Sequence, residues 1–167
     1  MDFVYGLSSV KFCGKEIGLL DQNGVQPAGT APTRTPIYSA QKKNGPVVTL
    51  TSSPGQLAFN MSLIELKPDA LVDTIGGEKD ANGNYTPPKK AEKSGPMDIV
   101  ADSGHTIRLY NARVSLNDFV NGFNPSNVLG LQLHVEVEPD ADEKTWKQFA
   151  PGIDPATGNP TVPPVEG

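Results

Sequence analysis

Hydrophobic and polar positions alternate most clearly in two places. Val128–Glu138 (VLGLQLHVEVE) places Leu129, Leu131, Leu133, Val135 and Val137 on one side and Gln132, His134, Glu136 and Glu138 on the other. Pro46–Gly77 contains a β-branched run through Val47–Ser52, a turn at Pro54-Gly55, and a second alternating run with Leu57, Phe59, Met61 and Leu63 facing one way and Ala58, Asn60 and Ser62 the other. A period of two specifies strands with one face toward a core. The pattern then changes. Pro68 suits the first turn of a helix, Leu71, Val72 and Ile75 share a helical face, and Gly76-Gly77 stops the helix. We take this strand–turn–strand–helix unit as the expected core.

Elsewhere the pattern predicts a hairpin over Val10–Leu20 turning at Gly14-Lys15, and a chain reversal at Asp21–Gly24. It predicts strands over Met97–Asp102 and His105–Ser115 joined at Ser103-Gly104, then a helical turn around Asp118–Val120 within Ser115–Asn127. Asp140–Phe149 fits a short amphipathic helix anchored by Trp146 and Phe149. Residues 25–45 are too polar and proline-rich to bury much, and read as a loop or arm that orders against a neighbour. Residues 78–96 read as a surface insertion, and 151–167 as an extended proline-rich tail. The expected architecture is mainly β: one domain over 1–150, an antiparallel sandwich or barrel of six or seven strands with one flanking helix and long loops.

Composition agrees with many short strands joined by turns, since the 167 residues include 17 glycines and 16 prolines. The net charge of −5 and pI near 5.0 argue against ordinary nucleic-acid binding. Acid is concentrated late in the chain, at Asp98, Asp102, Asp118, Glu136, Glu138, Asp140, Asp142 and Glu143, opposed there by Arg108 and Arg113. The opening MDFVYGLSSVKF lacks the charge and hydropathy order of a secretory signal, and no run approaches a membrane span, so synthesis in the cytoplasm is expected.

Candidate chemistry is sparse. His105 and His134 lack metal-ligand spacing and read as solvated. The single cysteine, Cys13, reads as a small buried hydrophobe beside a turn. Asp80-x-Asn82-Gly83-Asn84 begins like a calcium loop, but Tyr85 stands where glycine is needed and Ala91 where a bidentate glutamate is needed. Asp140–Glu143 reads as an acidic helix start. No catalytic, cofactor-binding or metal-binding residue is assigned, and an enzyme is not expected.

The order of Lys11–Gly18, the Asp21–Gly24 turn, Pro36-Ile37-Tyr38-Ser39-Ala40-Gln41, Pro46–Leu50, the strand ending Leu63-Ile64-Glu65-Leu66-Lys67-Pro68 and the short helix closing on Gly76-Gly77 resembles the major tail tube proteins of long-tailed bacteriophages. That resemblance spans about residues 5–77. It implies a tail-tube fold and a virion protein, made in the host cytoplasm, whose hexameric rings stack into a tube. Genomic DNA would pass through without specific binding. Tail-tip, tape-measure and tail-terminator proteins would be the other partners. Pro36, Ile37, Tyr38, Ser39, Ala40, Gln41, Lys42 and Lys43 become candidates for an arm between rings. The lumen side is either the Asn60 and Ser62 face or the Glu136 and Glu138 face. The alternative is a β-sandwich module for carbohydrate or cell-surface ligands, with Tyr38, Tyr85, Tyr110 and Trp146 as stacking residues.

Overall fold

The computed structural model describes residues 3–161. It is mainly β with one helix, as the alternation predicts. The strands are β1 (Ser9–Phe12), β2 (Lys15–Glu16), β3 (Leu20–Pro27), β4 (Thr33–Ile37), β5 (Val48–Ser53), β6 (Ala58–Leu63), β7 (Glu78–Lys79), β8 (Tyr85–Thr86), β9 (Glu92–Val100), β10 (Thr106–Val120), β11 (Gly130–Glu138) and β12 (Trp146–Phe149). Helix α1 spans Pro68–Ile75.

One antiparallel sheet runs in the order β2-β1-β9-β10-β11-β6-β3. Its axis is β10, the longest strand at 15 residues. Along one side lies β9; along the other, β12 pairs Thr106–Leu109 and β11 pairs Asn111–Val120. The sheet curls until its two ends meet. Ile17 donates to the Val10 carbonyl and Ile64 to the Leu19 carbonyl, so the chain between β2 and β3 bridges the gap.

The concave side holds the core: Val10 and Phe12 of β1, Met61 and Leu63 of β6, Met97 of β9, Leu109, Ala112 and Val114 of β10, and Leu131, Leu133, Val135 and Val137 of β11. A bulge between Leu109 and Ala112 in the β9–β10 pairing lets both residues face inward, because one extra residue resets the alternation. Helix α1 packs onto this side through Leu71 and Ile75. Pro68 opens it, and Gly76 and Gly77, at φ 87 and 107, let the chain leave. Thr74 rather than Val72 completes the buried face, since i, i+3 and i+4 share a helix side; its hydroxyl donates to the Ala70 carbonyl at 2.7 Å.

Several expectations need correction. Asp21–Gly24 is no chain reversal: β3 passes through it, and the turn-forming residues are absorbed as a bulge between Leu20 and Val25. Residues 25–45 contain the end of β3 and all of β4, which pairs with β5. The insertion ends earlier than residue 96, because β9 begins at Glu92, and its turn forms the small β7–β8 hairpin. Asp118–Val120 is strand, since β11 supplies partners to Val120. Trp146–Phe149 is strand because the free edge of β10 is available to it; Phe149 is buried and Trp146 half-exposed. Residues 151–161 fold back through an Ile153–Pro160 bridge rather than running extended, and 162–167 lie outside the described residues. The largest correction concerns Pro46–Gly77. Its β6 and α1 are core, but every residue of β5 is exposed.

Candidate assembly surfaces

Among the described residues no group of three His, Cys, Asp or Glu side chains is arranged to hold a metal ion. The Asp80 carboxylate is spent on its own turn: it accepts from the Asn82 and Asn84 backbone amides and from the Asn84 side chain at 2.8–2.9 Å. Those bonds hold its pKa below the usual 3.8. Asp140 likewise caps the turn before β12, accepting from the amides of Asp142 and Lys144. His105, expected in solvent, is buried and hydrogen-bonded to the Ser103 hydroxyl at 2.9 Å. Cys13, expected to be buried, is exposed. It forms the β1–β2 turn with Gly14, both at positive φ (54 and 82), and its sulfur lies over Gly95 of β9.

What remains are surfaces. The first is the convex side of the sheet. On β6, Asn60 and Ser62 pair in register with His134 and Gln132 of β11. The His134 Nδ1–H donates to Asn60 Oδ1 at 2.8 Å, and Asn117 donates to Gln132 at 2.9 Å. Arg113 of β10 bridges Glu138 at 2.9 Å and Glu92 at 3.2 Å. Gln56 donates to Glu136 at 3.4 Å. The two alternative lumen faces are therefore one face: Asn60, Ser62, Glu136 and Glu138 lie on adjacent strands and point the same way. Sequence reading missed Arg113 and Glu92, which join that face only through strand pairing. Glu92, Glu136 and Glu138 face Arg113 and Lys90, which pairs with Glu92 at 3.4 Å, so the patch keeps a small excess of negative charge.

The second surface is the β4–β5 hairpin. Its pairing sets Ile37 opposite Val48 and Thr35 opposite Leu50. Ile37, Val48 and Leu50 therefore line one side, while Arg34, Pro36, Thr49 and Thr51 line the other. All residues of both strands are exposed. Pro36 and Ile37 end β4, and Tyr38, Ser39, Ala40, Gln41, Lys42 and Lys43 form the tip, where Ser39 bridges to Lys42 and its hydroxyl donates to Gln41 at 2.7 Å. The expected arm thus lies together at the end of a hairpin. Its partner strand, which carries the apolar stripe, was misread as core because alternation does not say what covers a face. At the root, Gly29 and Gly55 bring the two chains close: a Cβ on Gly55 would lie 2.7 Å from the Thr30 carbonyl, and one on Gly29 would overlap the Gln56 carbonyl.

The third surface was not anticipated. The end of β10 exposes Phe119, and the loop that follows exposes Phe123 and Val128, with Phe123 at 92%. At the other end of β11 a cleft of 670 Å³ is lined by the hairpin root and by Leu57, Val137 and Pro139.

The four aromatics considered for ligand stacking occupy different settings. Tyr38 sits at the hairpin tip, Tyr85 hydrogen-bonds the Gly76 carbonyl, Tyr110 lies under Lys144, and Trp146 is on β12. Half-buried, Tyr85 also has its phenol pKa pushed above 10.0. No helix among the described residues is long and apolar enough to cross a membrane. No protein-family model matches the chain, and no curated protein sequence matches it.

Proposed function

We propose that this chain is a structural virion subunit that self-assembles into stacked hexameric rings, forming a phage tail tube through which the genome is delivered. The observation that carries this reading is the β4–β5 hairpin. It is a defined two-stranded element with an apolar stripe and no core of its own. Isolated hairpins are marginal in water, so such an element fits a subunit that completes itself against a neighbour. Pro36–Lys43 at its tip then serve as the contact between rings. The outer edge of β12 has no partner among the described residues, which suits sheet continuation between subunits.

The convex polar face supports the lumen assignment. Asn60, Ser62, Glu136 and Glu138 present hydrogen-bonding groups and net negative charge. Such a wall repels phosphate, where a basic one would hold DNA through counterion release. Tail-tip, tape-measure and tail-terminator proteins are the partners this role requires.

The test is direct. Purified protein, concentrated alone and with a tail-tip fraction, is followed by sedimentation velocity and negative-stain electron microscopy. Rings or tubes with an axial channel are expected. A monomer under every condition refutes the reading.

A further inference from the structure

We infer that the basic tip of the β4–β5 hairpin docks at the hairpin root of a second copy of this chain, with Tyr38 in the cleft there and Lys42 and Lys43 against the acidic turn at its rim. The inference rests on the tube reading and names the surface that receives the arm.

Charge is segregated along this chain. Residues 22–64 carry Arg34, Lys42 and Lys43 and no acid, so the hairpin is cationic in a protein of net charge −5. None of the three enters an ion pair among the described residues. The densest acid is Asp140, Asp142 and Glu143, between β11 and β12, and these form no ion pair there either. Lys144, the nearest cation in sequence, lies over the Tyr110 ring. A basic tip and an acidic turn, each without a partner in its own chain, are complementary between copies.

Both stand where such a contact needs them. The cleft of 670 Å³ is lined by Pro32 and Pro54 from the hairpin root and by Leu57, Val137 and Pro139. Glu138, Pro139 and Thr145 belong to the same lining, which puts the acidic turn on the rim. An apolar floor beside a carboxylate rim suits a segment that offers an aromatic ring followed by cations. At the tip, Tyr38 is 67% exposed, and Lys42 and Lys43, also exposed, follow it. The shape of the tip is already set. The Ser39 hydroxyl donates to the Gln41 side chain at 2.7 Å and accepts from the Gln41 amide at 3.3 Å, and the Lys42 amide donates to the Ser39 carbonyl at 3.3 Å. Asp140 sets the turn in the same way, accepting from the Asp142 and Lys144 amides. Little ordering cost therefore attends the docking.

No chain can fill its own cleft with its own tip. Root and tip are opposite ends of one hairpin, and the six residues of β5 alone span about 20 Å. A second copy supplies the tip instead. Because the two patches differ, the contact propagates where copies repeat in one direction, as stacking requires. One such contact is small, and rings that form several at once multiply it, which favours stacking over pairing of free subunits.

The test is a charge swap in the full-length protein. Lys42→Glu with Lys43→Glu, and separately Asp142→Lys with Glu143→Lys, are each expected to raise the concentration needed for assembly at least about tenfold. All four together are expected to restore it. Asp140 is left in place because it holds the turn, and melting temperatures should not change because all four side chains are exposed. The fourfold variant keeps the net charge of −5, since the two reversals cancel, so its rescue isolates the pairing from net charge. Wild-type tubes with no rescue, or with assembly indifferent to both reversals, overturn this contact and leave the tube reading standing. Rescue in a species that stops at two chains keeps the contact and overturns the tube reading. A wild-type chain that never assembles overturns both.

Discussion

Leu50→Asp separates folding from assembly. Leu50 is 54% exposed in the middle of β5, opposite Thr35 and diagonal to Ile37, and no core residue touches the stripe it belongs to. Complete burial of a leucine is worth about 1.5–3 kcal/mol, so covering the exposed half contributes about 1 kcal/mol to docking. An aspartate in the same dehydrated contact loses that gain and costs about 2–3 kcal/mol more for its unpaired charge. The total of about 3–4 kcal/mol per contact weakens association by roughly two to three orders of magnitude. Within the free subunit the substituted side chain stays in water, so unfolding free energy should move by no more than about 0.5 kcal/mol. Leu133→Ala provides the contrast. Leu133 is fully buried on β11 between Leu116 and Met61, and its truncation should cost about 2–5 kcal/mol. Urea denaturation measures the unfolding free energies, and sedimentation velocity against concentration measures the association. Two results refute the reasoning: Leu50→Asp assembling at the wild-type concentration, or losing as much stability as Leu133→Ala.

Three further outcomes follow from the packing. Gly130→Ala adds a Cβ 2.9 Å from the Leu63 carbonyl and 2.8 Å from Val120 Cγ2; β11 must shift off β6, at about 1–3 kcal/mol in urea denaturation, and an unchanged midpoint would contradict that close pairing. Asp98 should titrate above 3.8, because its half-buried setting opposes ionisation more than Arg108, 3.3 Å away, and Lys11 favour it, and Asp154 adds repulsion. The folded state then holds the Asp98 proton more tightly than the unfolded chain does. Its ionised form subtracts from stability above the folded midpoint, and that cost is relieved as pH falls toward 3.8; a carboxyl carbon titration placing the midpoint at or below 3.8 disproves this. Cys13 should react in the native protein with one equivalent of a thiol reagent, and a requirement for denaturant would show that the turn does not expose it.

Local pattern made half of this fold legible. Helix α1 announced itself through Pro68, the Leu71 and Ile75 spacing and the Gly76-Gly77 stop, and β11 through alternation that burial follows residue by residue. The errors share a physical origin. Trp146 and Phe149 sit three apart, which would put them on one helical face, and only the vacant edge of β10 makes the segment a strand with the two on opposite sides. Asn117 and Asp118 weaken the strand signal of Ser115–Val120, yet β11 pairs with both sides of a bulge at Asn117 and carries the strand on to Val120. Asp21–Gly24 has the composition of a reversal, and the neighbouring β6 turns it into a bulge. The site was harder still. Asn60 and His134 are 74 positions apart, so a shared polar face was invisible until β6 and β11 were seen side by side. Alternation in β5 correctly specified a strand with an apolar side, and the error was to assume that this chain supplies the cover. A period of two records that a face is to be hidden, but not in which molecule. Under the proposed assembly role that distinction is the function, and the most strand-like segment outside the core, Val48–Ser53, is the one left uncovered.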